Sequence, residues 1–435
     1  MSIERVAVYC RSKKEHIVNF GSFFANRVIS LALFAFTTSV FINHAGSTAF
    51  GHLTMLLLIF NYISVADLGM GYAVGYRLTR AISRKNPGYA VKILQHAFPF
   101  YLMVGGGAAV LVFFFSPEFS RLFTRTDDYA VVYRVIAVGI PPLVIDTIVL
   151  MVMQSYNRVY LINLSRLVYD VFRAAPLLLA MVCETGLLEK IMIIVVTGCY
   201  IKLMTDIYLC YRLIGHLRWI KPVLFYKELR FNVLYGFPML LVLVIGLIIS
   251  SIDKFYMTNF LSMEQLGYYS VAFEVNVKAW FLIWAVTGSL TTVLVRRNVL
   301  NIGTADIEKL SLLSVGIIFA LYYLPLMVFA RPILSLWINP DFAEKSYRLV
   351  RILAVASLFY MLYAVQHNIL QARGRFMTIA GIYTAGLAIL LISLWVLPGY
   401  FQAEGVAGSY IVTYAAFVGM SVYIMKRKGR MAESP

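Results

Sequence analysis

Long apolar runs follow one another along this chain with little sequence between them. Crossing a bilayer takes about 20 apolar residues, and by that measure roughly twelve transmembrane helices are predicted. They fall near 19–42, 50–76, 90–115, 129–153, 160–183, 187–211, 231–252, 265–295, 309–330, 346–370, 376–397 and 405–425. Composition agrees: 61% of the 435 residues are hydrophobic and 14% are charged, against about 45–50% and about 25% in soluble domains. The expected fold class is an all-α polytopic membrane protein. The first run is too long for the core of a secretory signal and has no clear cleavage site, so no cleaved leader is expected. Cys10, Cys183, Cys199 and Cys210 show neither metal-ligand nor redox spacing, and neither a disulfide nor a metal site is expected.

A net charge of +17 would suit a nucleic-acid-binding protein if the basic residues covered a polar surface. Here most of them lie between apolar runs, which excludes nucleic acid as the expected partner. They read first as topology signals and second as contacts to anionic membrane lipids. Alternate connections carry about three times as many Lys and Arg as the rest, the pattern of cytoplasmic loops. The rich set includes Arg77, Arg80, Arg84, Lys85, Arg296, Arg297, Lys426, Arg427, Lys428 and Arg430; the poor set includes Arg121, Arg125, Lys190 and Lys254. Both termini are thus expected on the cytoplasmic side, with an even number of spans. No connection is long enough for a soluble domain. The longest, 213–229, is basic and amphipathic and is expected to lie as a helix on the inner membrane surface.

Internal repeats divide the chain in two. Phe50-Gly51 and Leu266-Gly267, at the starts of spans two and eight, are 216 residues apart. The stretch Arg134–Val138 matches Arg351–Val355 at an offset of 217, as Gln154 matches Gln371 and Arg158 matches Arg375. The expected organisation is an N-terminal lobe (1–212), an amphipathic linker (213–229) and a C-terminal lobe (230–435). With six helices each, the two lobes share one orientation and are related by an axis along the membrane normal.

Four stretches carry a family resemblance. They are Ala66-Asp67-Leu68-Gly69 with Gly71, Ile252-Asp253-Lys254 through Gln265-Leu266-Gly267-Tyr268-Tyr269-Ser270, Leu370-Gln371-Ala372-Arg373-Gly374-Arg375, and Glu404-Gly405-Val406-Ala407-Gly408. In order and place they resemble signatures of the Wzx-type polysaccharide flippases, members of the multidrug/oligosaccharidyl-lipid/polysaccharide exporter superfamily. The resemblance implies two six-helix lobes around a central cavity. It also implies a transporter, not an enzyme, that moves a polyprenyl-diphosphate-linked oligosaccharide repeat unit to the outer leaflet of a bacterial inner membrane. Its partners would be that lipid-linked oligosaccharide and, in surface polysaccharide assembly (O-antigen, capsule or exopolysaccharide), the polymerase and chain-length machinery. No cofactor is implied; the choice between H⁺ and Na⁺ coupling stays open.

Ionisable residues inside spans need a partner, water or a substrate. The basic ones are Arg27, Arg134, Arg166, Arg173, Lys202 and Lys278; the acidic ones are Asp67, Asp146, Asp170, Asp206 and Glu274. Counted from a turn at Gly186, Arg166 and Asp206 sit at equal depth, as do Asp170 and Lys202, which predicts a four-member structural ion network between spans five and six. Arg173 is left opposite Cys199 as a surplus charge. Arg27 and Asp67 are equidistant from Ser47, so Arg27 either pairs with Asp67 or faces the cavity. Glu274 and Lys278 share one helical face at i,i+4. A diphosphate is well met by Arg forks and Lys ammonium groups, so Arg27, Arg173 and Lys278 are the candidate cavity cations, and Glu274 and Asp67 the candidates for ion coupling. Gly75 and the run Gly105–Gly107 read as close helix crossings, and Pro141-Pro142 as a kink in span four.

Two other classes compete. An exporter of drugs or other substrates on the same fold would show an acidic cavity if its cargo were cationic, whereas the intramembrane balance is slightly basic. A membrane glycosyltransferase or polysaccharide polymerase would need a large outer loop or a surface acidic motif, and the outer loops are short. No nucleophile triad or phosphate-binding loop is present. Reporter fusions after Arg430 check the topology: a cytoplasmic reporter is expected, and a periplasmic one excludes the even span count.

Overall fold

The computed structural model describes residues 3–63, 70–84, 86–183, 185–214, 226–283 and 305–432. Among these every regular element is a helix. They are α1 (Ile3–Ile63), α2 (Met70–Ser83), α3 (Pro87–Phe114), α4 (Ser116–Thr124), α5 (Ala130–Ser155) and α6 (Val159–Ala174), which tightens into a 3₁₀ segment at Ala175–Met181. Then come α7 (Leu187–Ile214), α8 (Tyr226–Phe260), α9 (Met263–Lys278), α10 (Ala305–Ile318), α11 (Leu324–Val328), α12 (Ala330–Trp337), α13 (Pro340–Ala372) and α14 (Phe376–Ala432). Among the described residues each of the twelve predicted spans lies on helix, a few end residues apart. Two stretches, Gly21–Phe60 and Phe376–Met425, are 40 and 50 residues long, enough for two crossings each at about 1.5 Å per residue. Their helices break at Gly46 (φ 84°, ψ 167°) and at Gln402 (φ 46°, ψ −126°). Glycine adopts such a left-handed backbone freely; Gln402 does so under strain. The chain is an all-α, multi-pass membrane protein.

The chain forms two compact units, one of Met1–His44 with Leu56–Phe237, the other of Ala45–Met55 with Pro238–Pro435. The division falls inside α8 at Phe237/Pro238, beyond the expected linker, of which 215–225 lie outside the described residues.

In the first unit α3, α5 and α7 pack side by side, with α2 and α4 against α5 and α6 against α7. The core is aliphatic, built from residues such as Leu78, Ala97, Ile140, Val144 and Met153. Gly105 lies where α3 meets Val144 and Pro141 of α5, a close crossing of the expected kind, while Gly106 and Gly107 face open space. Gly198 likewise admits Phe172, bringing α6 onto α7. The prolines at 141 and 142 sit inside α5, which runs through both as one helix. Polar zippering joins α1 to α6: Asn26 Nδ2 donates to the Asn163 carbonyl at 3.0 Å, and Asn163 Nδ2 to Ser22 Oγ at 3.0 Å.

In the second unit α13 is the central helix, packed against α14, α9 and α12. An aromatic stack fills it: Trp280 lies on Tyr360 at 3.7 Å between centroids, and Tyr410, Tyr414 and Phe417 continue the contact. The repeat glycines meet within this unit. A Cβ on Gly267 would overlap the Ser47 carbonyl, and one on Gly51 the Met263 carbonyl. Both neighbours are backbone and cannot step aside. Gly267→Val is expected to lower stability by at least the roughly 1–3 kcal/mol typical of overpacking, read as a lower melting temperature in detergent. Gly381→Ala, whose Cβ meets nothing within 4 Å, should leave it within about 0.5 kcal/mol.

Candidate functional site

In the first unit the buried charges converge on Lys202. Its Nζ bonds Asp206 Oδ2, one helical turn on, at 2.7 Å, and Asp146 Oδ2 of α5 at still closer range. The three side chains are 7%, 0% and 6% exposed. Of the expected network the Lys202–Asp206 pair at i,i+4 is present, while the pairs across the α6–α7 hairpin, Arg166 with Asp206 and Asp170 with Lys202, are not. Lys202 takes its cross-helix partner from α5, and Asp170 instead accepts a hydrogen bond from Ser30 Oγ of α1. Among the described residues no ion pair joins α6 to α7, and Arg166 is exposed. The reason is azimuth. Equal residue count from a turn does not fix the face a side chain occupies, and the 3₁₀ segment after α6, with three residues per turn and about 2.0 Å rise per residue, offsets both phase and depth between the two helices.

Asp146 was visible as an intramembrane acid but had no partner in the sequence reading, because hairpin counting compares only consecutive spans. A signal was present. Spans four and six are predicted to run the same way, and Asp146 and Lys202 each lie about 15 residues into their helices, hence at similar depth.

Arg27 is half-buried in α1, stacks over Phe23 at 5.3 Å and lies within electrostatic reach of Arg166 and Asp170. Asp67, its alternative partner, lies outside the described residues. Arg173 is exposed on α6 and neighbours Tyr169 and Cys199, the residue expected at its depth. Arg134 is exposed, with Nε donating to Ser116 Oγ at 3.1 Å. Cys183, Cys199 and Cys210 are free thiols.

In the second unit the sequence reading places Asp253-Lys254 at a membrane surface, where span seven ends. The structure corrects this: α8 continues to Phe260, and both side chains are buried within it. Asp253 Oδ2 accepts the Tyr269 hydroxyl at 2.6 Å, and Lys254 Nζ lies 3.9 Å from the Phe273 ring centroid and 3.3 Å from Asp253 Oδ2. The apolar run of α8 extends past the pair, and aromatic groups of α9 replace water around it. Glu274 and Lys278 pair at 3.4 Å, one turn apart and about one-third exposed, as the i,i+4 spacing predicts.

At one end of the same unit an open groove of about 660 Å³ lies between Glu264, Tyr268, Lys345, Arg348, Tyr400 and Glu404. Its ion pairs, Lys345–Glu264 at 2.9 Å and Arg348–Glu404 at 3.5 Å, are solvent-exposed. Lys345 and the Tyr268 hydroxyl hold the Glu264 carboxyl below its usual range. Among the described residues no group of His, Cys, Asp and Glu is placed to hold a metal ion.

The MatE family model matches residues 25–167. A putative O-antigen transporter of Shigella flexneri is 20% identical over 385 residues, spanning 84% of this chain and 87% of that one. An inward-facing multidrug resistance MATE transporter of the MOP superfamily superposes with a TM-score of 0.76 at 12% identity, over 94% of this chain and 100% of the other. The lipid II flippase MurJ, in an inward closed conformation, superposes with a TM-score of 0.72 at 13% identity, over 94% and 87%. The resemblance seen in the short motifs holds over nearly the whole chain as a likeness of fold. The protein is a multi-pass membrane protein that shares its fold with a MATE transporter and with the lipid II flippase MurJ, and it is matched by the MatE family model over residues 25–167.

Proposed function

We propose that this chain is a flippase that carries a polyprenyl-diphosphate-linked oligosaccharide repeat unit across the bacterial inner membrane by alternating access, with both termini cytoplasmic. The observation that carries the reading is the sequence match to the putative O-antigen transporter, which runs over 84% of this chain rather than over one motif. Charge supports it. Arg166 and Arg173 are exposed on α6, and Arg27 and Lys278 are partly so. A diphosphate carries negative charge and takes guanidinium forks in bidentate geometry. Arg27, Arg173 and Lys278 are assigned to it, and Glu274 and Asp67 to ion coupling. The lipid-linked sugar would come from glycosyltransferases on the inner face and pass to a polymerase and its chain-length machinery on the outer face.

A drug exporter is the second reading, favoured by the fold likeness to a multidrug resistance MATE transporter. Expression in a strain lacking its own flippase separates the two. Restored surface polysaccharide supports the proposal; drug resistance without polysaccharide supports the alternative. Arg173→Ala and Lys278→Ala should each abolish polysaccharide export while the protein still inserts. Arg173→Lys should be milder, since charge is kept and only the planar fork is lost. Glu274→Gln should impair export, and rescue by Lys278→Gln would reduce the pair to simple charge balance. Full export by both alanine variants would remove the cationic assignment.

A further inference from the structure

We propose that the open groove at one end of the second unit is a saccharide site, which takes a short run of sugar rings through their hydroxyls and C–H faces; that the sugar is the transported repeat unit rests on the flippase reading. Three separate stretches build the groove. The α8–α9 turn contributes Glu264 and Gln265, the start of α13 contributes Lys345 and Arg348, and α14 contributes Tyr400, Phe401 and Glu404 where its helix breaks. The volume, about 660 Å³, falls within the roughly 300–1,000 Å³ of small-molecule sites. On the proposed topology this end is the outer one.

The charges select the ligand. Three carboxylates, Glu264, Glu344 and Glu404, line the groove against two cations, Lys345 and Arg348. The surplus is negative, so a diphosphate is not the occupant. No carboxylate is left over for an organic cation either. Lys345 pairs with Glu264 at 2.9 Å, Arg348 with Glu404 at 3.5 Å, and Arg331 with Glu344 at 2.8 Å. Charges neutralised in this way still have hydrogen-bonding capacity. A carboxylate keeps unused lone pairs, and a guanidinium or ammonium keeps unused N–H groups. Strong acceptors and strong donors thus stand side by side. A sugar hydroxyl donates to one and accepts from the other, and bonds to charged partners are the stronger kind.

Three further observations point to a ligand. Tyr400 and Phe401 are 80% and 59% exposed, with ring centroids 6.5 Å apart, so aromatic surface borders the polar lining and offers the C–H face of a sugar ring an apolar support. Directly after them Gln402 holds φ 46°, ψ −126°, a strained backbone of the kind that collects at ligand clamps. Gln265 lines the groove with an amide whose Oε1 is buried and has no hydrogen-bond partner among the described residues. A belt of rings at the membrane surface would account for Tyr400 and Phe401 alone. It would not account for paired charges, a strained turn and an unused acceptor at the same place.

The test uses the full chain in a detergent with no sugar head group. The probe is the repeat-unit oligosaccharide cut by mild acid from the surface polysaccharide of the host strain, free of lipid and diphosphate. Binding is read by NMR, as saturation transferred from protein to sugar protons over a titration. The wild type is expected to bind. Tyr400→Ala combined with Phe401→Ala, and separately Arg348→Ala, should each weaken binding about tenfold or more, the scale of one charge-assisted hydrogen bond. Glu404→Gln, close to the original in shape, should weaken it too and takes the place of Arg348→Ala if that variant does not fold. Phe114→Ala removes an exposed ring of the first unit and should change nothing. Inorganic pyrophosphate and tetraphenylphosphonium should not displace the oligosaccharide. No transfer in the wild type, undiminished binding by the ring and charge variants, or displacement by either ion overturns the proposal. Undiminished binding together with lost export in the ring variant would mark a contact with a partner protein instead. Restored polysaccharide export without oligosaccharide binding sinks the groove alone, and binding without export sinks the flippase reading alone.

Discussion

A charge taken out of water into a bilayer has to be met by counter-charge, hydrogen bonds or a polarisable face, at a penalty of several kcal/mol if it is not. Both lobes are organised by that constraint and meet it differently. The first lobe places opposite charges on neighbouring helices, so that α5 and α7 are joined through Lys202. The second meets it locally: Asp253 and Lys254 are adjacent on one helix, and α9 supplies a phenol to the carboxylate and a ring face to the ammonium. A cation over an aromatic face is worth about 2 kcal/mol or more when desolvated, which suits a lobe whose interior is already lined with Tyr, Phe and Trp.

Fold class was legible in the sequence because it follows from bulk quantities. Twenty apolar residues in a row have one common fate in lipid, and the alternation of Lys and Arg survives errors of a few residues at each boundary. The Lys202–Asp206 pair was legible from its i,i+4 spacing, but the cross-helix part of the ion network was not, although every one of its residues was in view. Helix depth can be counted along a chain, but which side of a helix faces which neighbour is set by packing. One 3₁₀ segment after Ala174 is enough to change it. Asp253 and Lys254 were misplaced for a related reason. Charged residues usually mark the end of a span, and a buried pair is distinguished only by partners contributed from another helix. Glu274–Lys278 was read correctly because both members lie on one helix, where spacing alone decides.

The repeat glycines sit between these extremes. Their shared offset hinted at duplication without indicating contact. In the folded chain the start of each repeat's second span rests on the other's backbone, Gly51 on Met263 and Gly267 on Ser47. Any side chain at either position would hold two carbonyl-bearing turns apart, so the absence of a Cβ fixes the spacing of this crossing. Small residues serve close helix approach in membranes where no hydrophobic driving force separates helix from lipid.

The burial of Asp253 and Lys254 also bears on biogenesis. A nascent α8 entering lipid by itself would carry two charges, each opposed by about 2.5–3.5 kcal/mol on the insertion scale. The long aliphatic stretch ahead of them, from Leu240 to Ile249, favours entry. Two residues separate Phe260 from Met263, so Tyr269 and Phe273 leave the ribosome directly behind the charges they cover. The pair α8–α9 is therefore suited to partition laterally as a hairpin, carrying its own local solvent for Asp253 and Lys254. Tyr410, whose hydroxyl reaches the Ile249 carbonyl at 2.6 Å, arrives more than a hundred residues later and fastens a hairpin already in the membrane.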